Sequence, residues 1–251
     1  MHLERSLGWA MHKIEIPDWV VERVIARRGR RHAFDDMVGP HTALLVVDMQ
    51  NAFLMEGVGH NVVAPARDIV PTVNRLAAAM RSHQGTVVWI QATTTETTLR
   101  DWSVMHDGMM TPEARERRIK STWRGSLGHQ LWSGLDVHPG DPIVEKSRYS
   151  AFIQGSSDIE EMLRGRGIDT VLVAGTVTGV CCESTARDAM MRNFRTVMIA
   201  DANASRTDAE HNASLVAFYH TFGDVMTADE AIGYLAANAA GAGLASARAV
   251  R

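Results

Sequence analysis

The sequence predicts an α/β fold, a parallel sheet covered by helices on both faces. Two observations carry this. Short continuous apolar runs closed by an acid or a glycine, such as TALLVVD (Thr42–Asp48), DTVLVAG (Asp169–Gly175) and RTVMIAD (Arg195–Asp201), are what strands buried on both faces look like. Between these runs lie segments with helical spacing, and strands alternating with helices pair in parallel. No internal repeat and no Pro/Ser linker interrupts residues 40–235, so the 251-residue chain, 45% hydrophobic, reads as one main domain at 41–235.

The elements follow in order. Residues 1–40 read as an N-terminal extension, in which DWVVERVIARRGRR after Pro17 makes a short amphipathic helix ending near Gly29. Its arginines, Arg27, Arg28, Arg30 and Arg31, read as a solvated face or a subunit contact, or else as a contact to an acidic partner. After the first strand, IVPTVNRLAAAMRSHQG has helical spacing and a terminal Gly85, and TVVWIQ (Thr86–Gln91) is a second buried strand. Residues 93–140 are polar and irregular, with helical turns expected around Pro112–Lys120 and Leu127–Leu135. DPIVEK (Asp141–Lys146) is a third strand, and SSDIEEMLRGRG (Ser156–Gly167) is a capped helix ending in glycine. Asp169–Gly175 is the fourth strand, the segment after it opens a helix, and Arg195–Asp201 is the fifth. A helix over 208–221 leads to a sixth strand at Gly223–Thr227. The Ala/Gly-rich tail, 236–251, is expected to fray, from about Tyr234 onward.

Charge and cysteine content narrow the function. A formal net charge of -3 argues against a nucleic-acid partner. No apolar run approaches the ~20 residues that span a bilayer, and the N-terminus lacks the apolar core of a secretory signal. The only two cysteines are adjacent and cannot build a disulfide framework, which places the chain in the reducing cytoplasm.

In parallel sheets, ligands gather beyond the carboxyl ends of the strands. Strands one, three and four deliver Asp48, Lys146 and the stretch GTVTGVCCESTARDA (Gly175–Ala189) to that edge. Free N–H groups at a helix N-terminus and a nearby cation both favour thiolate over thiol, and they can also hold an oxyanion. Helical spacing separates the two cysteines. Cys182 shares a small apolar stripe with Ala186 and Ala189, whereas Cys181 shares a polar one with Ser184, Thr185 and Asp188. Cys181 is therefore the candidate nucleophile and Cys182 a packing residue. Taken singly, each candidate has a plainer reading: an inert buried cysteine, an acid capping a turn, a surface lysine.

LLVVDMQNAF, EKSRYSAF and GTVTGVCCESTARDA, in that order, resemble the isochorismatase-like cysteine hydrolase superfamily over roughly residues 40–235, and the form around Lys146 looks most like its ureidoacrylate and N-carbamoyl amidohydrolases. The resemblance implies a three-layer sandwich with a six-stranded parallel sheet between helices. It implies a triad of Asp48, Lys146 and Cys181, a cis peptide at Thr176–Val177, and an oxyanion hole from the backbone amides of Val177 and Cys181. It implies a homodimer or homotetramer acting on a small-molecule amide or ureido substrate; the N-terminal extension is not part of the family core and is expected to pack on a neighbouring subunit. The expected reaction is cysteine-dependent cleavage of a C–N bond through a thioester, with no cofactor.

No metal is expected, because WIQATTTETTLRDW after strand two lacks the Asp-x-His with which the family's nicotinamidases hold one. His60, His106, His129 and His138 are expected to face solvent or to be hydrogen-bonded. The substrate-binding candidates are Asn51, Phe53, Gln91, Arg148 and Tyr149. Asn51 would orient Asp48 or a water, and Gln91 would bond a substrate amide or the neighbouring loop. Arg148 would grip a substrate carboxylate, or else pair with Glu183 or Asp188. Trp102, Trp123 and Trp132 are candidate pocket walls, and the loops 54–62, 93–135 and 150–156 would set specificity. Isochorismatase, nicotinamidase and a non-catalytic scaffold stand as alternatives. They are disfavoured in turn by the cysteine motif, the missing metal motif and the complete triad.

Overall fold

The computed structural model describes residues 12–239. Its strands are β1 (Thr42–Val47), β2 (Thr86–Ala92), β3 (Ile143–Lys146), β4 (Thr170–Thr176), β5 (Arg195–Ala204) and β6 (Asp224–Met226). They form one six-stranded sheet in the order β3-β2-β1-β4-β5-β6, and every pairing is parallel. The sheet therefore grows in opposite directions from the β1–β4 junction. Such a switch point leaves a crevice beyond the strand ends.

The continuous apolar runs are explained by two cores. Leu44 and Val46 of β1, Val87 and Trp89 of β2, and Leu172 and Ala174 of β4 face one core; the alternating residues Leu45, Val88 and Val173 face the other. Period-two geometry sends neighbours to opposite faces, and both faces are covered. Helices α3 (Val70–Ser82) and α9 (Ala228–Ala239) cover the first. Helices α1 (Asp18–Arg28), α6 (Ile159–Gly165), α7 (Glu183–Met191) and α8 (Asp208–Thr221) cover the second. The short helices α2 (Asn51–Leu54), α4 (Glu96–Asp101) and α5 (Pro112–Thr122) lie in the connections near the strand ends.

Several expectations need correction. Leu127–Leu135 is not helical; it is a run of turns. The buried Gln50 side chain holds it, with Nε2 donating to His129 O at 2.8 Å and to Ala92 O at 3.1 Å while Oε1 accepts from Ala92 N. Strand β5 runs on to Ala204, with a register shift opposite Val173 and Gly175, where the Asn203 amide bonds Val173 O and Ile199 O. Fraying after Tyr234 does not occur within the described residues. Helix α9 continues to Ala239, begun by a capping box in which Thr227 Oγ1 accepts from Glu230 N and Glu230 Oε2 accepts from Thr227 N. The tail from 240 onward and residues 1–11 of the extension lie outside the described residues.

The described part of the extension packs on its own chain. Val20 and Val24 of α1 are buried in the second core, and Arg28 Nη2 pairs at 3.0 Å with Asp224, a fully buried carboxylate on β6. Gly29 ends α1 in the left-handed region, φ 77°. Among the described residues no helix is long and apolar enough to cross a membrane.

Candidate active site

The chain leaves β1 through Asp48, held at φ 52° with its N–H on Ile90 O. Its carboxylate is fully buried at the switch point. Lys146, the last residue of β3, reaches it across β2, with Nζ 2.8 Å from Asp48 Oδ2 and 3.1 Å from Arg148 O. Asp48 Oδ1 is buried and has no hydrogen-bond partner among the described residues.

The third candidate arrives from β4. Gly175, at φ 120°, faces Val47 so closely that a Cβ there would lie 2.1 Å from Val47 O, so no other residue fits. The Thr176–Val177 peptide is cis. The chain then makes one π turn, Thr178–Cys182, before α7 begins, so both cysteines precede the helix rather than open it. Cys182 N–H donates to Val177 O at 3.3 Å, the i to i+5 bond of that turn. Cys182 packs with Ala186 and Ala189 in the second core. Cys181 lies close enough to Asp48 and Lys146 that, after burial, these are the groups that shift its ionisation.

The direction of that shift departs from the sequence expectation. Burial, then the Asp48 charge, push the Cys181 thiol up to about 12, and Lys146 opposes them only in part. For Lys146, burial works against the ammonium, but Asp48 and then Cys181 outweigh it and raise the pKa. The resting site is therefore a neutral thiol beside a buried ion pair.

The remaining candidates are placed as follows. Asn51 donates its amide to Leu127 O at 2.9 Å, and Gln91 donates to His129 O at 2.8 Å. Phe53 packs edge-on against His60, with ring centroids 5.4 Å apart. Arg148 pairs with neither Glu183 nor Asp188; it donates to Asp101 O and Ser147 O and lies over Trp102, while Glu183 takes Arg187 and Ser214. Tyr149 donates to Met105 Sδ and stands edge-on to Trp102 at 4.9 Å. Of the tryptophans, Trp102 shares a small cavity with Lys146, Trp132 packs on the first core, and Trp123 is partly exposed. His129 Nε2 bonds Thr93 Oγ1, and His138 is exposed beside Asp136. Among the described residues no three His, Cys, Asp or Glu side chains form a group able to hold a metal ion.

Arg118 on α5 escaped the sequence reading, and His106, expected to face solvent or to be hydrogen-bonded, is instead buried with neither ring nitrogen bonded; both line that cavity with Lys146. Nothing in the local string RERRIK separates Arg118 from Arg115 and Arg117; only the docking of α5 turns it inward.

Comparison with known proteins shows the family and the fold. Residues 42–230 match the isochorismatase domain family. A ureidoacrylate amidohydrolase of Methylorubrum extorquens is 32% identical over 177 residues, 64% of this chain and 68% of its own length. One from Pseudomonas savastanoi pv. phaseolicola is 30% identical over 238 residues, 86% of this chain and 91% of its own. Among solved structures, a cysteine hydrolase from Pseudomonas syringae pv. phaseolicola superposes with a TM-score of 0.72 at 30% identity, covering 81% of this chain and 96% of that one. An N-carbamoylsarcosine amidase from Thermoplasma acidophilum gives 0.60 at 27% identity, covering 75% and 96%.

Proposed function

The chain belongs to the isochorismatase domain family, and from that premise we propose that it is a cysteine-dependent amidohydrolase of small linear amides or ureido compounds. The observation that supports this is the division of labour in Asp48, with Oδ2 occupied by Lys146 and Oδ1 without a partner among the described residues, in a site whose charges also act on the Cys181 thiol.

Asp48 Oδ1 takes the thiol proton as sulfur attacks the substrate carbonyl. A thiol at about 12 does not ionise beforehand, so proton transfer is coupled to attack. The negative charge passes to the carbonyl oxygen, which the backbone amides of Val177 and Cys181 receive; losing one such donor typically costs roughly 3 kcal/mol. Protonated Asp48 then gives its proton to the departing nitrogen, and ammonia or an amine leaves. Asp48, again a carboxylate, draws a proton from the water that attacks the thioester and returns it to the leaving sulfur, which restores the Cys181 thiol and the carboxylate. Lys146 keeps its charge throughout and holds Asp48 in place.

The test is release of ammonia from a panel of ureido acids, carboxamides, nicotinamide and biuret, with Cys181→Ser and Cys182→Ser compared by intact mass using a slow substrate. Acyl adducts should form on the native enzyme and on Cys182→Ser. Turnover that survives Cys181→Ser but not Cys182→Ser would sink the proposal.

A further inference from the structure

Helix α8 carries a histidine that stability alone does not explain. His211 is fully buried. Its Nδ1 bonds Thr178 Oγ1 at 2.9 Å, and its Nε2 has no hydrogen-bond partner among the described residues. Burial, then the charge of His12, push it down to about 4 against the Ala200 backbone and Asp208, so the ring is neutral. A buried nitrogen left unpaired costs stability, and an apolar side chain of similar size would carry none. Departures of this kind gather where a protein does its work.

Thr178 is what the ring holds. It opens the π turn that ends at Cys182, one residue after the cis Thr176–Val177 peptide. Inside the turn, Val180 N–H and Cys182 N–H both donate to Val177 O, at 3.0 and 3.3 Å, so these bonds close the turn on itself. The ties outward come from α8. Three residues beyond His211, on the same face of the helix, Ser214 Oγ donates to Glu183 Oε2 at 2.6 Å, at the first residue of α7. One face of α8 therefore grips the chain on both sides of Cys181.

The ring is itself held from outside. His12 stacks on it, with centroids 4.3 Å apart and planes 17° apart. His12 Nδ1 bonds Asp208 at 2.7 Å, and its Nε2 lies 3.0 Å from Ser205 N. Asn212, next to His211, clamps the same N-terminal segment: its Oδ1 accepts from Glu15 N at 2.9 Å and its Nδ2 donates to Lys13 O at 2.8 Å.

We propose that His211 is a positioning residue, which through Thr178 fixes the turn that carries Cys181, and that His12 of the N-terminal segment braces it. This rests on the reading of Cys181 as the nucleophile and deepens it, naming what keeps the sulfur aligned with the substrate carbonyl.

The test measures ammonia release by the full-length enzyme on whichever compound of the panel is cleaved. Thr178→Val and His211→Leu should each lower kcat about 10- to 10²-fold, with KM within about twofold of native. The double variant should be no slower than the slower single one, because both changes break the same bond. Thr178→Ser keeps the hydroxyl and should retain most of the rate. His12→Ala should show a smaller loss of the same kind, and an unaltered kcat there overturns the brace. A second readout needs no turnover: alkylation of Cys181 by iodoacetamide at one alkaline pH, located by tandem mass spectrometry. Burial is the largest cause that keeps this thiol from ionising, so a loosened turn should raise the rate several-fold in Thr178→Val and His211→Leu but not in Thr178→Ser. Where turnover is seen, kcat decides: unchanged values, or losses that add in the double variant, overturn the role of His211 and leave the amidohydrolase intact. If nothing in the panel is cleaved but alkylation speeds up, the amidohydrolase reading fails and the hold of α8 on the turn stands. If neither happens, both are wrong.

Discussion

Lys146 occupies one oxygen of Asp48, at 2.8 Å, and leaves the other open in a site from which both side chains are all but excluded from solvent. The pairing does two things at once. It makes the buried lysine charge tolerable, and it leaves the second carboxylate oxygen without a partner among the described residues. It also sets that thiol against ionising alone, because the nearby carboxylate charge raises its pKa.

This arrangement separates reactivity from turnover. In Asp48→Asn the proposed base is gone, and hydrolysis should fall by about 10²–10⁴-fold. The same change removes a charge that raises the thiol, so alkylation of Cys181 by iodoacetamide at a fixed alkaline pH should become faster. Lys146→Met should slow both. In the native enzyme the alkylation rate should keep rising with pH and show no plateau near neutrality. Mass-spectrometric rates across pH give the answer, and a neutral plateau would contradict the resting thiol described above.

The ion pair should also be visible in stability. Breaking a buried pair from one side leaves an uncompensated charge and costs about 3–5 kcal/mol, so Asp48→Asn and Lys146→Met should each lose that much in urea unfolding. The double variant should lose clearly less than the sum. Additivity within about 0.5 kcal/mol would mean that the two residues do not couple.

One buried and one partly buried histidine predict acid sensitivity. Burial, then the charge of His12, push His211 down to about 4, and His60 lies at about 3. The unfolded chain binds protons at these sites from about 6.5, so it holds more protons than the folded one below that pH. Their contribution is therefore complete above about 6.5 and is lost as pH falls towards 4 and 3. Between pH ~7 and ~5 each accounts for roughly 2 kcal/mol. His211 Nδ1 bonds Thr178 Oγ1 at 2.9 Å in the cysteine loop, and its ring stacks on His12 at 4.3 Å. Chemical denaturation at several pH values should show a shallower loss of stability on acidification in His211→Gln than in the native chain. Identical slopes would show that His211 is not the group being titrated.

Much of the scaffold could be read from residue pattern alone. The strands of TALLVVD, DTVLVAG and RTVMIAD lie where their apolar runs stand, and the helix over 208–221 has the bounds its spacing indicates. These are short-range effects. Period, capping and turn residues act over a few neighbours, so a linear string carries them. The same string nominates Asp48, Lys146 and Cys181 as candidates, because each sits at the end or just beyond the end of a strand in a parallel sheet.

What the string could not hold is the outcome of competition between distant groups. Cys181 reads as an activated thiolate when only its own loop is considered, yet it is a neutral thiol once burial and a carboxylate 133 positions earlier in the chain (48 to 181) are counted. Arg148 looks like the anion binder until the turn at Asp101 claims it, and Arg118 looks like any surface arginine until α5 docks. Long side chains reach several partners, and which of them they meet depends on how the connecting segments between β2 and β3 pack. Electrostatic balance in a buried site is a sum over space rather than over sequence, and so it is fixed only when the chain has folded.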